Sequence, residues 1–135
     1  MADSFNFELV SPERLLISEK VSEVVLPATE GEMTVMAHHS PVMTTIRPGV
    51  VTVKTAAGAT ERYVVFGGFA DIVPAGCTLL AESALHVKDV DRASIEARIE
   101  AAKADLTNAS GDEHRTGLEQ FLSDLTTLRQ TVFAG

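Results

Sequence analysis

The sequence predicts an all-β N-terminal sandwich of about ten strands followed by a C-terminal antiparallel αα-hairpin. Three observations carry this. Up to about residue 88 the apolar residues recur with period two in short runs. All five prolines and six of the nine glycines lie in that part and punctuate the runs. Beyond it the spacing changes to three and four, with alanine and charge replacing proline and glycine. The boundary is therefore set at 1–88 for the sandwich and 89–135 for the hairpin.

Taken in order, Phe5, Phe7 and Leu9 alternate with Asn6 and Glu8, and Ser11-Pro12 ends that strand. Arg14–Ile17 and Val21–Leu26 read as two strands, with Ser18-Glu19-Lys20 as a turn between them. Met33 and Val35 then share one face of a strand, opposite Glu32, Thr34 and Met36. That run breaks at His38-His39-Ser40-Pro41 and again at Pro48-Gly49. Val51 and Val53 oppose Thr52 and Lys54, and Ala57-Gly58 reads as a hairpin tip returning through Thr60–Phe66. Gly67-Gly68 breaks this run, and Phe69–Val73 and Cys77–Glu82 complete the strands around Pro74-Ala75-Gly76. No segment between strands is long enough for a parallel crossover, so an antiparallel sandwich or flattened barrel follows.

In the second part Asp91 can cap a helix with apolar positions Ile95, Ile99, Ala102 and Leu106. Thr107–Gly111 stops it, and a second helix to about Val132 carries the stripe Leu118, Phe121, Leu122, Leu125 and Leu128. A Leu/Phe stripe serves either as ordinary core or as a surface that exchanges partners, and the spacing allows both. An αα-hairpin buries only part of its two stripes alone, so this one must lean on the sandwich or on another protein.

Composition excludes several classes of function. The net charge of −8 and pI near 4.9 leave no basic cluster to neutralise phosphates, so nucleic acid is not a partner. Charge does not divide the parts: 10 acidic and 6 basic residues precede Asp89, and 9 and 5 lie from Asp89 onward. No stretch approaches the roughly 20 apolar residues of a membrane span, and the N-terminus does not read as a signal peptide. The chain is expected in the cytosol, not inserted in the membrane and at most held there through a partner.

Candidate chemistry is sparse. Cys77, the single cysteine, alternates with Leu79 and Ala81 and reads as a small buried hydrophobe. Adjacent strand residues such as His38 and His39 face opposite ways and chelate no common metal, so no metal site is expected. Glu30 and Glu32 pair acids in a turn, where a solvated turn is the plainer reading than acid–base catalysis. Gly67-Gly68 leads into a strand, with no Lys-Ser/Thr, and so marks a bulge or close backbone crossing instead of a phosphate loop.

Val10-Ser11-Pro12-Glu13, Val21-x-x-Val24-x-Leu26-Pro27, Glu30-Gly31-Glu32-Met33-Thr34-Val35, His39-x-Pro41, Arg47-Pro48-Gly49-Val50 and Phe66-Gly67-Gly68-Phe69-Ala70-Asp71-Ile72 belong together. Collectively this pattern resembles the ε subunit of the F-type ATP synthase, over the whole chain. The resemblance implies a ten-stranded sandwich with two helices. It implies a non-catalytic rotor subunit in the central stalk that couples γ to the c-ring during proton-driven ATP synthesis. The place implied is peripheral, on the cytoplasmic face of the bacterial inner membrane, with no cofactor.

The resemblance assigns Glu30, Gly31 and Glu32 to the c-ring contact, with His39 and Pro41 as a corner at the same end. His38 stands where the family usually has Gly, and the corner is expected to take a different backbone there. The helical hairpin, with its stripe, is implied to rest on the sandwich or extend towards the α and β subunits, inhibiting ATP hydrolysis in some members. Some members bind ATP through an Ile/Leu-Asp-x-x-Arg-Ala motif. Here Ser94 takes the place of its Arg and Ile95 of its Ala, while Asp91 remains. Arg92 comes two positions early, about 200° around the helix. ATP binding is expected to be weak or absent. Arg115 and Arg129 are the only Lys or Arg residues on the second helix, so inhibition by the hairpin is expected to be weak as well. The competing readings are a stand-alone β-sandwich hydrolase using His39 and nearby carboxylates, and a nucleotide-sensing module.

Overall fold

The computed structural model describes residues 3–133. Its strands are β1 (Phe5–Ser11), β2 (Arg14–Ala28), β3 (Gly31–Met36), β4 (Val42–Thr55), β5 (Thr60–Val73), β6 (Gly76–Ala81) and β7 (Ala84–His86). Two helices follow, α1 (Arg92–Thr107) and α2 (Asp112–Phe133). By contact the chain divides into two compact units, Met1–His86 and Val87–Gly135.

Strand length explains the architecture of the first unit. β2, β4 and β5 run 15, 14 and 14 residues, about twice an ordinary strand. Each bends and takes part in two faces. The early half of β2 pairs with β1, and its late half with β3 and β4. The late half of β5 pairs with β6, and its early half with β7. β4 follows β5 through both halves, from Val42↔Ile72 to Lys54↔Thr60. One face is therefore β2-β1-β6-β5-β4 and the other β3-β2-β4-β5-β7. The β1–β2 pairing closes the ring into a flattened barrel. Seven strands, three of them serving both faces, give the ten segments that the resemblance implies.

The bends have identifiable causes. The β2–β4 register slips between Val21 and Glu23 and again between Val25 and Ala28, the signature of bulges. In β5 the bend falls on Gly67 and Gly68, with φ of 117° and 147°. A Cβ on Gly68 would lie 2.1 Å from the Leu80 carbonyl oxygen, so only glycine lets β5 cross β6 this closely.

These findings correct the strand reading in four places. Ser18-Glu19-Lys20 is not a turn but the middle of β2, paired with Glu8, Phe7 and Asn6. Gly67-Gly68 bends a continuous strand without ending it. β1 and β6 pair in parallel, which their wide separation in sequence permits without a crossover helix. β7 and the 3-10 turn at Val87–Asp89, each only three residues long, carry too little periodicity to be read.

One aliphatic cluster fills the space between the faces. Phe7, Leu9, Ile72 and Leu79 enter it from one side and Val24, Leu26, Val35, Val51 and Val65 from the other, all essentially without solvent access. Val35 is buried while Glu32, Thr34 and Met36 are exposed, as the alternation of β3 predicts.

In the second unit Asp91 is the N-cap of α1, its Oδ1 accepting from the Ser94 amide at 2.6 Å. Asn108 ends the helix, and both its amide nitrogens, backbone N and side-chain Nδ2, donate to the Ala104 carbonyl. α1 and α2 lie against each other, with Ile95, Ile99 and Ala102 buried on α1 and Leu125 and Leu128 on α2.

Candidate functional site

The acidic turn joins β2 to β3. Thr29 donates to the Thr45 carbonyl through both its amide (3.0 Å) and its Oγ1 (2.9 Å), tying the turn to β4. Gly31 follows at φ 132°, a conformation that L side chains rarely adopt. This lifts Glu30 and Glu32 into solvent on either side of the glycine. Among the described residues neither carboxylate has a hydrogen-bond or ion-pair partner. The result is a pair of exposed carboxylates on a turn that Thr29 ties to β4.

The His-Pro corner lies elsewhere. β3 separates it from the acidic turn, and at about 3.3 Å per residue its length puts the two roughly 20 Å apart. β3 thus stands between the two turns that the resemblance puts at one end. The corner belongs with the β5–β6 turn: the His38 amide donates to the Pro74 carbonyl at 3.2 Å, and His38 Nε2 lies 3.1 Å from Asp3 Oδ2. His39 Nδ1 donates to the Ser40 carbonyl at 2.7 Å. His38 has φ 65°, so the residue in the glycine position adopts the left-handed backbone that glycine favours.

A feature the sequence reading missed runs across the outer surface of the β1–β6 face. Leu15 pairs with Val10, Val10 with Leu80, Leu80 with Phe69, and Phe69 with Thr45. Leu15, Leu80 and Phe69 are each more than half exposed. Val10, Pro12, Phe69 and Leu80 border a groove of about 290 Å³. The available signal was a set of apolar doublets (Leu9-Val10, Phe69-Ala70, Leu79-Leu80), which put apolar groups on both faces of a strand. Thr45 ends the row, and it is the residue that anchors the acidic turn.

On the hairpin the predicted stripe is graded. Leu125 and Leu128 are buried, whereas Leu118, Phe121 and Leu122 are half-buried. The residues at the degenerate nucleotide motif have other tasks. Asp91 caps the helix, Ser94 supplies the amide it accepts from, and Arg92 stacks over the Phe133 ring at 5.6 Å. Both arginines of α2 also bond within the unit. Arg129 Nη1 donates to the two Glu96 carboxylate oxygens at 3.1 and 3.2 Å, and Arg115 Nη1 donates to the Leu106 carbonyl at 3.2 Å.

Cys77 is buried, and desolvation, with the Asp71 charge second, pushes its thiol up to about 12. It is an inert part of the core. Among the described residues no cluster of three His, Cys, Asp or Glu side chains is placed to hold a metal. No helix among them is long and apolar enough to cross a membrane.

Comparison with known proteins gives these features a context. Residues 4–87 match the family model for the ATP synthase, Delta/Epsilon chain, beta-sandwich domain. The ATP synthase epsilon chain of Rhizobium meliloti (strain 1021) is 72% identical over 132 residues, covering 98% of each chain. That of Mesorhizobium japonicum is 70% identical over the same length, again covering 98% of both. Among solved structures, a chain of the Euglena gracilis mitochondrial ATP synthase superposes with a TM-score of 0.74 at 22% identity, over 96% of this chain and 81% of that one. A chain from the Tetrahymena thermophila mitochondrial ATP synthase central stalk and c-ring superposes at 0.65 with 9% identity, over 96% of both. At those identities the structural likeness speaks for the fold alone. With the family model spanning the sandwich and the relatives spanning both units, the chain belongs to the ATP synthase epsilon-chain family.

Proposed function

We propose that this chain is the central-stalk rotor subunit of a bacterial F1Fo ATP synthase, coupling γ to the c-ring during proton-driven ATP synthesis. It is a non-catalytic, peripheral subunit, placed on this reading at the cytoplasmic face of the inner membrane. The observation that carries the reading is end-to-end identity of about 70% to epsilon chains, hairpin included.

Two surfaces of the sandwich support a coupling role. Glu30, Gly31 and Glu32 form the foot on the polar loops of the c-ring, since a held pair of unpaired carboxylates is suited to polar or basic groups. The row Leu15–Val10–Leu80–Phe69 is the face that receives γ. An apolar band this exposed costs solubility unless a partner covers it. Its last member, Thr45, anchors the acidic turn, so a force on γ would pass to the ring through one short stretch of β4. His39, at the far end of β3, is outside this footprint.

The hairpin adds at most weak inhibition of ATP hydrolysis through the α and β subunits, because Arg115 and Arg129 are both spent within it. No nucleotide is needed: Ser94 stands where a phosphate-pairing cation would be, and Arg92 is turned to Phe133.

Co-expression with γ tests the assignment. The expected result is a stable 1:1 complex that Phe69→Asp weakens by about 30-fold or more, the order of an interface hot spot. Failure of the wild-type chain to bind γ would sink the reading. Full binding by Phe69→Asp would move γ to another face.

A further inference from the structure

The apolar row on the outer surface of the β1–β6 face is framed by carboxylates along both of its sides. Two residues along the strands runs a second row, in which Ser18 pairs with Glu8, Glu8 with Thr78, Thr78 with Asp71 and Asp71 with Met43. Glu8 and Asp71 therefore flank Val10 and Phe69 on the same outer surface. On the opposite side Glu82 comes two residues after Leu80. With Glu13 and Arg14 it lines a second hollow, of about 160 Å³, which shares Ser11 and Glu82 with the apolar groove. Among the described residues the side chains of Glu13, Asp71 and Glu82 have no hydrogen-bond or ion-pair partner, and Glu8 accepts only from the Ser18 hydroxyl at 3.5 Å. Four carboxylates against the one guanidinium of Arg14 leave the frame acidic, and Lys20, opposite Asn6, lies a register further out.

Dimensions decide what such a frame accepts. The row crosses five strands from Leu15 to Thr45, and four spacings of about 4.8 Å make it about 19 Å long. Carboxylates two residues to either side, at about 3.3 Å per residue, form two lines about 13 Å apart. An α-helix with its side chains is about 10–12 Å wide and rises about 1.5 Å per residue. About 13 residues of helix laid across the strands thus cover the row and bring both flanks to the lines of charge. We infer that the row and its frame seat an amphipathic helix whose apolar stripe is flanked on both sides by Lys or Arg, with Glu8, Asp71, Glu13 and Glu82 as the charge contacts. The apolar stripe supplies affinity, and the carboxylates set the helix's orientation and reject one with acidic flanks. That helix belongs to γ, an assignment that rests on the reading of the row as the face receiving γ.

Surface plasmon resonance of the full chain against γ, at about 50 mM and about 500 mM NaCl, tests the frame. Wild-type affinity is expected to fall with salt. Glu8→Gln with Asp71→Asn, and Glu13→Gln with Glu82→Gln, should each weaken binding about fivefold or more at low salt, and all four together should abolish the salt response. All four positions are on the surface, so melting temperatures should stay as in wild type. Glu23→Gln, opposite Met36 and Lys54 on the other face, is the control and should bind as wild type. Carboxamide variants that bind like wild type while Phe69→Asp does not would overturn the frame and leave the γ face standing. Full binding by Phe69→Asp would remove that face and the frame with it. Equal loss in Glu23→Gln would put bulk charge in place of the frame. Hydrogen exchange of γ in the complex should show new protection in a helix with Lys or Arg on both sides of its apolar stripe. Protection confined to strands, or to a helix without such flanks, would overturn the occupant.

Discussion

Gly68→Ala puts the largest calculable strain on the fold. A Cβ at this position would lie 2.1 Å from the Leu80 carbonyl oxygen and 2.9 Å from Ala81 Cα, both backbone atoms of β6 that cannot swing aside. The backbone angle, φ 147°, is also one that alanine rarely adopts. Strained backbone costs about 1–3 kcal/mol, and overpacking against fixed atoms typically about 1–3 kcal/mol more. A destabilisation of about 3 kcal/mol is therefore expected, or roughly 15 °C in the melting temperature of a unit this size. Gly117 in α2 is the control: nothing lies within 4 Å of its added Cβ, so Gly117→Ala should be neutral or stabilising by up to about 1 kcal/mol. Urea or thermal unfolding followed by circular dichroism reads both. Gly68→Ala melting within about 2 °C of wild type would refute the close crossing of β5 and β6 and the bend that depends on it.

Three further outcomes are expected. Calorimetry with ATP and Mg²⁺ should show no saturable binding, and Ser94→Arg alone should not create a site while Arg92 stays on Phe133; tight binding by the wild type would contradict this. The Cys77 thiol is held protonated in the folded state, so its contribution to stability is fully present below about pH 9 and is lost as pH rises towards about 12. The loss should approach about 1.4 kcal/mol per pH unit in that window, and Cys77→Ala should flatten this part of the profile; an unchanged slope would show that Cys77 is not the source. Deleting residues 89–135 from the assembled complex should change ATPase activity less than about twofold, and a strong rise would show that the hairpin inhibits despite its engaged arginines.

Alternation made the core faces of β1, β3 and β6 legible, and the 4, 3 and 4 spacing with Asp91 gave α1 to within a residue at its start. The long strands were harder. A strand that bends from one face to the other keeps its alternation, so β2 offered nothing but the polar run Ser18-Glu19-Lys20, which mimics a turn. Ser18 and Lys20 are polar because they face outward from β2, and Glu19 between them is half-buried. At the site, the acidic turn was legible because Glu-Gly-Glu combines a turn residue with charge. The apolar row was not, since its members come from four strands and meet only through pairing registers. His38 misled for a different reason. Histidine seldom takes a positive φ, yet the hydrogen bond from its backbone N–H to the Pro74 carbonyl and the contact with Asp3 hold it there.

The central claim, that Glu30-Gly31-Glu32 transmits force to the ring, is most directly tested by proton-driven ATP synthesis in membrane vesicles carrying Glu32→Lys. The side chain is exposed and unpaired, so the melting temperature and γ binding should stay as in wild type. ATP synthesis per proton gradient should fall severalfold as the foot loses its complement on the ring. Normal synthesis by an assembled rotor carrying Glu32→Lys would contradict the account.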